Sequence, residues 1–569
     1  MENFFLDNKD MLFKFDNFNL AEIVELYEDE YRQADKYEYA PENYEEAMLN
    51  YKKSLEIMGQ ICGEEIEPMA EDIDEEGQKL ENGDVKYHPN TKKALELLRK
   101  AGFTGVTIPR KYNGLNFPTV IYIMLIELVA RAEAGLMNIF SLQDIGETIF
   151  EFASEEIKEK YVKMFANGEV TGAMILTEPG AGSDLQRVRT KAVYDEKKDE
   201  WKLYGTKRFI TNGNADVSLV LARSEEGTTD ARGLSMFLIE KDDSVQIRRI
   251  EDKLGLHGSP TCEMQFNGTE AKLIGRRRMG LIKYVMELMN GARLGIAGQA
   301  LGIAEAAYRA AYDYAKEREQ FGKSIENFPA VYDMLTDMRI NIEAARALTY
   351  YTSQMVDYKK AYQRKYEQTD EREYRKKMKE YKTIADTLTP MSKAYSSEMC
   401  NDVAYKGLQV HGGDGFMKDY DIQRHYRDAR ITNIYEGTTQ LQIVAAIRGV
   451  VTKKLEPVFD ELENKVSKGC NEQIAMIKEM RKKLNNSIKN YKDMSDEEKD
   501  FYAKYLVDMA TKIITSYLLL IDGMRIKRKM IIAKTYIRRS KAEINKYVEI
   551  IENLSGLVVD NKELIYDIE

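Results

Sequence analysis

The hydrophobic period of this chain changes character near Gly172 and again near Gly280, and that double change limits the folds open to it. Between Gly172 and about Leu273, short segments rich in β-forming residues alternate with turns. Examples are Lys191-Ala192-Val193-Tyr194, Trp201-Lys202-Leu203-Tyr204, Ser218-Leu219-Val220-Leu221-Ala222 and Leu234-Ser235-Met236-Phe237-Leu238-Ile239. Asn-Gly, Glu-Gly and Gly-Ser turn signals separate them. This spacing predicts a compact antiparallel barrel or sandwich and not βαβ units. Helical periodicity dominates from about Pro41 to Asn167, and again from Gly280 to about Val451. A further helical segment of about a hundred residues follows Lys453. The expected fold is therefore mostly α with a central β domain. The expected divisions are an N-terminal extension at 1–40, a helical domain at 41–170, a β domain at 171–277, a helical bundle at 278–452 and an additional helical domain at 453–569.

Local signals refine this outline. Val120 to Val129 reads as a helix buried on most sides. Asp357 to Lys382 is intensely charged, which predicts a surface location, either as a helical extension or as a flexible insert. Ile474, Ile477, Leu484, Ile488 and Tyr491 lie at helical spacing. Ser495 with Glu498 forms a capping box that starts another helix, one strongly apolar through Ile513 and Leu518 to Ile521.

With 569 residues, 43% apolar, the chain can bury a large core. Its formal charge of -11 argues against nucleic-acid binding, which needs a broad basic face. The basic runs at Arg276-Arg277-Arg278 and Arg525-Ile526-Lys527-Arg528-Lys529 could meet phosphates, though such runs are more often solvated. Cys62, Cys262, Cys400 and Cys470 are far apart and form no CxxC pair, which fits a reducing compartment. His88, His257, His411 and His425 have no metal-ligand spacing, so no zinc site is expected. The first residues are acidic where a secretion signal would be basic, and no run of about 18 apolar residues occurs. A cytoplasmic protein without a transmembrane segment is expected.

Ile434-Tyr435-Glu436-Gly437-Thr438-Thr439-Gln440 sets one carboxylate at the edge of a turn. A confined, poorly hydrated carboxylate is the group that removes a carbon-bound proton, although an exposed Glu before Gly is usually just a helix end. Four other segments bear on the choice. They are Thr177-Glu178-Pro179-Gly180-Ala181-Gly182-Ser183-Asp184 with Phe209-Ile210-Thr211-Asn212-Gly213, then Arg293 through Gly322, and then Gln409-Val410-His411-Gly412-Gly413-Asp414-Gly415. In this order and at these intervals the set resembles the acyl-CoA dehydrogenases, a family of FAD enzymes, over about Asn43 to Val451. The long tail resembles members with an extra C-terminal helical domain, a subgroup that includes dehydrogenases for long-chain acyl-CoA and for methylmercaptopropionyl-CoA.

The resemblance implies an N-terminal helical domain, a β-barrel or sandwich, and a C-terminal four-helix bundle. No GxGxxG or P-loop motif is present, so no Rossmann-type FAD site is expected. By resemblance, Leu176 and Thr177 contact the flavin, and Ser183 contacts flavin or the CoA part of the substrate. Phe209 stands where many relatives have tryptophan beside the flavin, and Thr211 matches a flavin-contacting threonine. Arg318, Gln320 and Phe321 match a segment that reaches FAD on a neighbouring subunit, and Gln409, Gly412 and Gly413 match a second such contact. A homo-oligomer, at minimum a dimer, is then implied. Thr438 and Gln440 match FAD-binding positions just past the base. Arg293, Tyr435 and Gly437 fall near the substrate.

Glu436 matches the catalytic base. Some relatives carry the base on the earlier helix, where this chain has Ala292, which accepts no proton. The implied reaction is α,β-dehydrogenation of an acyl-CoA to trans-2-enoyl-CoA, with hydride transfer to flavin N5. Electron-transfer flavoprotein is the implied acceptor. The alternatives are an acyl-CoA oxidase, which peroxide formation under air would reveal, and a non-catalytic flavin-containing binding protein.

Overall fold

The computed structural model describes residues 2–466 and 468–553, with 561, 564 and 565 beyond them. The chain forms two compact units: 1–314 with 407–432, and 315–406 with 433–569.

In the first unit, helix α1 (Thr119–Ala132) is buried along its whole length, as its largely apolar sequence predicts. Helices α2 (Ala134–Ser141) and α3 (Asp144–Phe152) follow it. The β region supplies seven strands: β1 (Gly172–Ile175), β2 (Lys191–Asp195), β3 (Glu200–Thr211), β4 (Val217–Arg223), β5 (Leu234–Glu240), β6 (Val245–Ile250) and β7 (Thr261–Ile274). They form one sheet in the order β1-β4-β2-β3-β7-β5, with β6 on β7. A further β4–β5 pairing closes the path, so the sheet is barrel-like. Most pairs are antiparallel as expected, but β1 runs parallel to β4, Gly172 facing Val217. Strand β4 is buried on both faces. Val220 and Ala222 lie in the interior with Phe237, Met264 and Phe266. Leu219 and Leu221 pack with Ile145, Ile149 and Phe165 of the helices. A strand covered on both sides reads as a continuous apolar run, which explains Val-Ser-Leu-Val-Leu-Ala.

Residues 407–432 return to this unit and are stitched into it. Helix α7 (Ile422–Ala429) carries Arg427, whose guanidinium pairs with Asp74. The Asp428 carboxylate accepts the Leu256 N–H at 2.6 Å. His257 Nδ1 lies 2.9 Å from Asp74 Oδ1. That contact lifts the His257 pKa to about 9 against the opposing effect of burial. Burial alone would raise Asp74, but His257 and Arg427 together hold it well below the usual carboxylate range.

Helix α4 (Met286–Glu317) carries the chain from the first unit into the second. There α5 (Pro329–Thr369) and α6 (Arg372–His411) are long helices joined at Asp370, whose φ of 56° makes the reversal. The charged stretch 357–382 is thus a helical extension. It is not wholly solvent-facing: Asp357, Lys359, Tyr362 and Lys365 are buried, and the Tyr358 and Tyr381 rings stack 4.5 Å apart.

Beyond α8 (Thr439–Val451), the tail forms α9 (Asn471–Lys492), α10 (Asp496–Gly523) and α11 (Lys527–Asn553). Ser495 and Glu498 make the expected capping box. Ile477, Leu484, Leu506, Ile513, Ile537 and Ile544 of the tail share one core with Ala344, Leu348, Ala446 and Val450. The second basic run is spent on this packing. Lys529, fully buried, pairs with the buried Glu343 of α5, and Arg528 donates to the same carboxylate at 3.0 Å. Among the described residues no helix is long and apolar enough to cross a membrane.

Candidate active site

Strand β1 ends at Ile175, and the next nine residues form a loop fastened from beneath. The Lys207 ammonium, wholly buried, donates to the carbonyls of Leu176 and Leu221 at 2.8 Å and lies 3.0 Å from Glu178 Oε1. Glu178 also accepts the N–H groups of Arg189 and Thr190 at 2.8 and 2.9 Å. Burial pulls Lys207 down to about 8 and opposes ionisation of Glu178 as well. Lys207 and the two amide donors prevail at the carboxylate, which stays below its usual range. Glu178 and Ala181 exchange two backbone hydrogen bonds of 3.1 Å, which tightens the turn.

The other face of this loop is open. Gly180, Gly182 and Ser183 are exposed and Thr177 is half-buried. A Cβ at Gly180 would meet nothing within 4 Å, and one at Gly182 only Thr177 Cγ2 at 3.9 Å. Neither glycine has a left-handed backbone. Nothing inside the chain therefore requires glycine here, whereas a ligand lying close to the backbone would.

Strand β3 departs from regular register between Lys207 and Ile210. Such a bulge re-aims side chains. Phe209 takes φ 61°, an outlier for a bulky residue, and leaves 53% of its surface exposed. The Arg208 guanidinium lies 4.6 Å from its ring, and the Arg208 N–H donates to the Thr177 carbonyl at 3.0 Å. Leu176, Thr177 and Phe209 are thus brought together, with Thr211 half-buried just past the bulge. Arg293 on α4 is buried and donates to Asn290 Oδ1 at 3.1 Å.

Helix α6 ends at His411, where Gly412 turns left-handed at φ 60°. A Cβ on Gly412 or Gly413 would project into open space, and Gln409 is exposed one turn earlier. His411 bonds the Gly407 carbonyl through Nδ1 and stacks on Tyr314 at 4.4 Å. Burial lowers its pKa.

In the second unit, Arg318, Gln320 and Phe321 sit together on a short hairpin, Glu319–Gln320 paired with Lys323–Ser324. All three are exposed; Phe321 leaves 94% of its surface uncovered, at φ 52°.

Asn433 to Thr439 forms the loop that holds Glu436. The Thr439 N–H closes it on the Asn433 carbonyl at 3.1 Å. Glu398 of α6 ties both ends, accepting from Asn433 at 3.1 Å and Thr439 at 2.5 Å. At the apex Glu436 has φ 53° and Gly437 φ 89°. The Gly437 carbonyl accepts from Lys393 Nζ and from Gln442 Nε2, each at 2.8 Å. Gln442 Nε2 also reaches the Glu436 carbonyl at 3.1 Å. A trans peptide sets its N–H opposite its C=O, so the Gly437 and Thr438 N–H groups face away from Gln442 and Lys393. Thr438 then caps α8, accepting from the Leu441 N–H at 3.4 Å. Tyr435 and Glu436 are half-buried and Gln440 is exposed.

Sequence reasoning missed Lys207, Lys393 and Gln442 and gave Glu178 no role. Signals existed. Lys207 is in phase with the inward Leu203 along β3, and Lys393 is the only Lys or Arg between Lys382 and Lys406.

Against known families, residues 52–169 match the acyl-CoA dehydrogenase N-terminal domain, 173–269 the middle domain and 282–450 the C-terminal domain. Residues 449–556 match a separate family described as acyl-CoA dehydrogenase C terminal. Acryloyl-CoA reductase (NADH) of Anaerotignum propionicum is 34% identical over 394 residues, 68% of this chain and 91% of that one. The CarC subunit of the caffeyl-CoA reductase-Etf complex of Acetobacterium woodii is 33% identical over 368 residues, 63% of this chain and 89% of its own. The crystal structure of an acyl-CoA dehydrogenase complexed with FAD from Bacillus anthracis superposes with a TM-score of 0.75 at 24% identity, covering 90% of this chain and 88% of that one.

Proposed function

This chain belongs to the acyl-CoA dehydrogenase family, and from that premise we propose that it holds FAD and converts an acyl-CoA thioester to the trans-2-enoyl-CoA, with Glu436 as the base. The observation that carries the base assignment is the left-handed backbone at Glu436, held by hydrogen bonds to its own and the next carbonyl. A non-glycine residue kept in that region is strained, and such strain gathers at functional sites.

The thioester acidifies its α C–H because the carbanion delocalises onto the carbonyl oxygen. The Glu436 carboxylate takes the α proton. Backbone N–H groups of the 435–438 loop, the Glu436 N–H first, stabilise the charge that develops on the thioester oxygen. Bound FAD supplies the acceptor for the hydride that leaves the β carbon. The open glycines at 180, 182, 412 and 413 and the exposed Phe209 fit such a group. Leu176, Thr177, Ser183 and Thr211 would line it, with Arg318, Gln320, Phe321 and Gln409 reaching it from a second copy and Thr438 and Gln440 past the base. The near-total exposure of Phe321 supports a homodimer as the working form. Arg293, Tyr435, Gly437 and Ser183 are assigned to the substrate. The domain limits 41–170, 171–277, 278–452 and 453–569 belong to this reading, as do a cytoplasmic setting, fatty acid β-oxidation and electron-transfer flavoprotein as acceptor.

A reductive direction is the second reading, favoured by the reductase names of two relatives. Anaerobic titration with a panel of acyl-CoA thioesters, followed at the oxidised flavin band, tests the first. Bleaching by one chain-length class in the native protein, lost in Glu436→Gln at unchanged FAD content, is the expected result. Near-normal bleaching by Glu436→Gln would remove the base assignment. Flavin reduced beforehand and reoxidised by an enoyl-CoA, without bleaching by any acyl-CoA, would favour the reductive direction.

A further inference from the structure

We propose that Lys393 is a positioning residue for Glu436, acting with Gln442 as a two-armed clamp that holds the base loop in its left-handed form. This rests on Glu436 being the base.

Lys393 lies in the interior of α6 and Gln442 in the first turn of α8, and both are fully buried. Their donors converge on two successive main-chain carbonyls, Glu436 and Gly437. An ammonium loses its hydration when buried, and neutral side chains could satisfy a lone carbonyl at less cost. The position at which the charge is spent therefore matters. It falls where a carboxylate-bearing residue at φ 53° is followed by a glycine at φ 89°. Gly437 tolerates that region, whereas glutamate has no intrinsic preference for it. Released from the clamp, the loop relaxes toward ordinary φ. The carboxylate and the Gly437 N–H then both move, since they flank the same peptide. Glu398 acts on the ends of the loop through Asn433 and Thr439, whereas Lys393 and Gln442 act on the two carbonyls at its apex.

The test uses the FAD-loaded full-length protein. Its readout is the rate at which deuterium from the solvent enters the α position of an acyl-CoA thioester, measured beside flavin content, melting temperature and KM. Exchange of the α hydrogen needs the base and no net oxidation. Lys393→Met is expected to slow exchange about 10²-fold, the scale of a misplacement near 1 Å, and to move the pH profile of exchange, while flavin content and KM stay near native. Lys393→Arg, which keeps a cationic donor, is expected to recover part of the rate. If Lys393→Met does not yield folded holoprotein, Gln442→Leu removes the other arm and is read in the same way. A folded variant whose exchange rate and pH profile lie within twofold of native overturns the proposal. Glu436→Gln run alongside separates the two readings: its retention of exchange would remove the base itself, whereas its loss of exchange with a normal Lys393→Met would remove only the clamp.

Discussion

The loop after β1 and the loop before α8 are each fastened by a buried lysine, yet they are held in different ways. The first has a backbone its own sequence favours, with a Pro-Gly turn closed by mutual bonds between Glu178 and Ala181. Lys207 anchors that preformed turn through a carboxylate and two carbonyls. The second has a conformation that its central residue disfavours, and Lys393 with Gln442 imposes it. A lysine that anchors a contented loop acts mainly on stability. One that constrains a reluctant loop acts mainly on chemistry. The proposed clamp depends on that difference, and four measurements would sharpen or break it.

The largest expected effect is at Lys207. Lys207→Met leaves the Glu178 carboxylate buried without its cation, a change of about 3–5 kcal/mol in unfolding free energy. Urea unfolding of the variant measures it, and a loss below about 1 kcal/mol would erase the contrast between the loops. Adding Glu178→Gln removes the stranded charge. Replacing both partners of a buried pair is often nearly neutral, so the double variant should recover most of the loss in the same assay.

A third fastening of the first unit gives a scale, because it depends on pH. The folded pKa of His257 is raised to about 9 from its usual 6.5, mainly by Asp74. Its stabilisation is therefore fully present below pH 6.5 and is lost as pH rises through about 9. His257→Gln should cost about 1–3 kcal/mol at pH 6 and progressively less by pH 10. Equal losses at both pH values would show that the imidazole acts by packing alone. The smallest effect is at Gly180 and Gly413, where a Cβ meets nothing. Alanine at either should leave the flavin-free protein unchanged or stabilise it by about 0.4–1 kcal/mol, while weakening FAD retention. Unchanged FAD affinity would mean that no ligand approaches those backbones.

The sequence carried the outline of the fold because its strong signals are local. Turn pairs and β-rich segments marked the barrel strands, and the apolar stretch of α1 marked a buried helix. The parallel β1–β4 pair was not legible, since Gly172–Ile175 and Val217–Val220 lie some 45 residues apart and nothing local fixes their direction. Charge density alone suggested that 357–382 faces water. The stacked Tyr358 and Tyr381 show that a charged helix buries one side when its aromatics recur at helical spacing. At the site, Glu436 was legible as a residue type, but its left-handed backbone was not, because propensity gives Glu no reason to adopt it. Lys207 and Lys393 escaped notice because lysine is normally a surface residue; only the phase of β3 and the isolation of one cation in α6 hinted otherwise.

One property of the first unit bears on how the molecule is made. Asp74 finds its Arg427 partner 353 residues later, after the chain has already entered and left the second unit. At about 5–20 residues per second a ribosome needs roughly 20–70 s to bridge that interval. The barrel is complete only at Ile274, and from there to Arg427 the nascent unit has its barrel but lacks the segment that closes on Asp74 and Leu256, so a growing chain carries an incomplete interior through the later part of that interval. Holding chaperones would find their natural substrate in that window, and codon usage upstream of residue 407 would set its length.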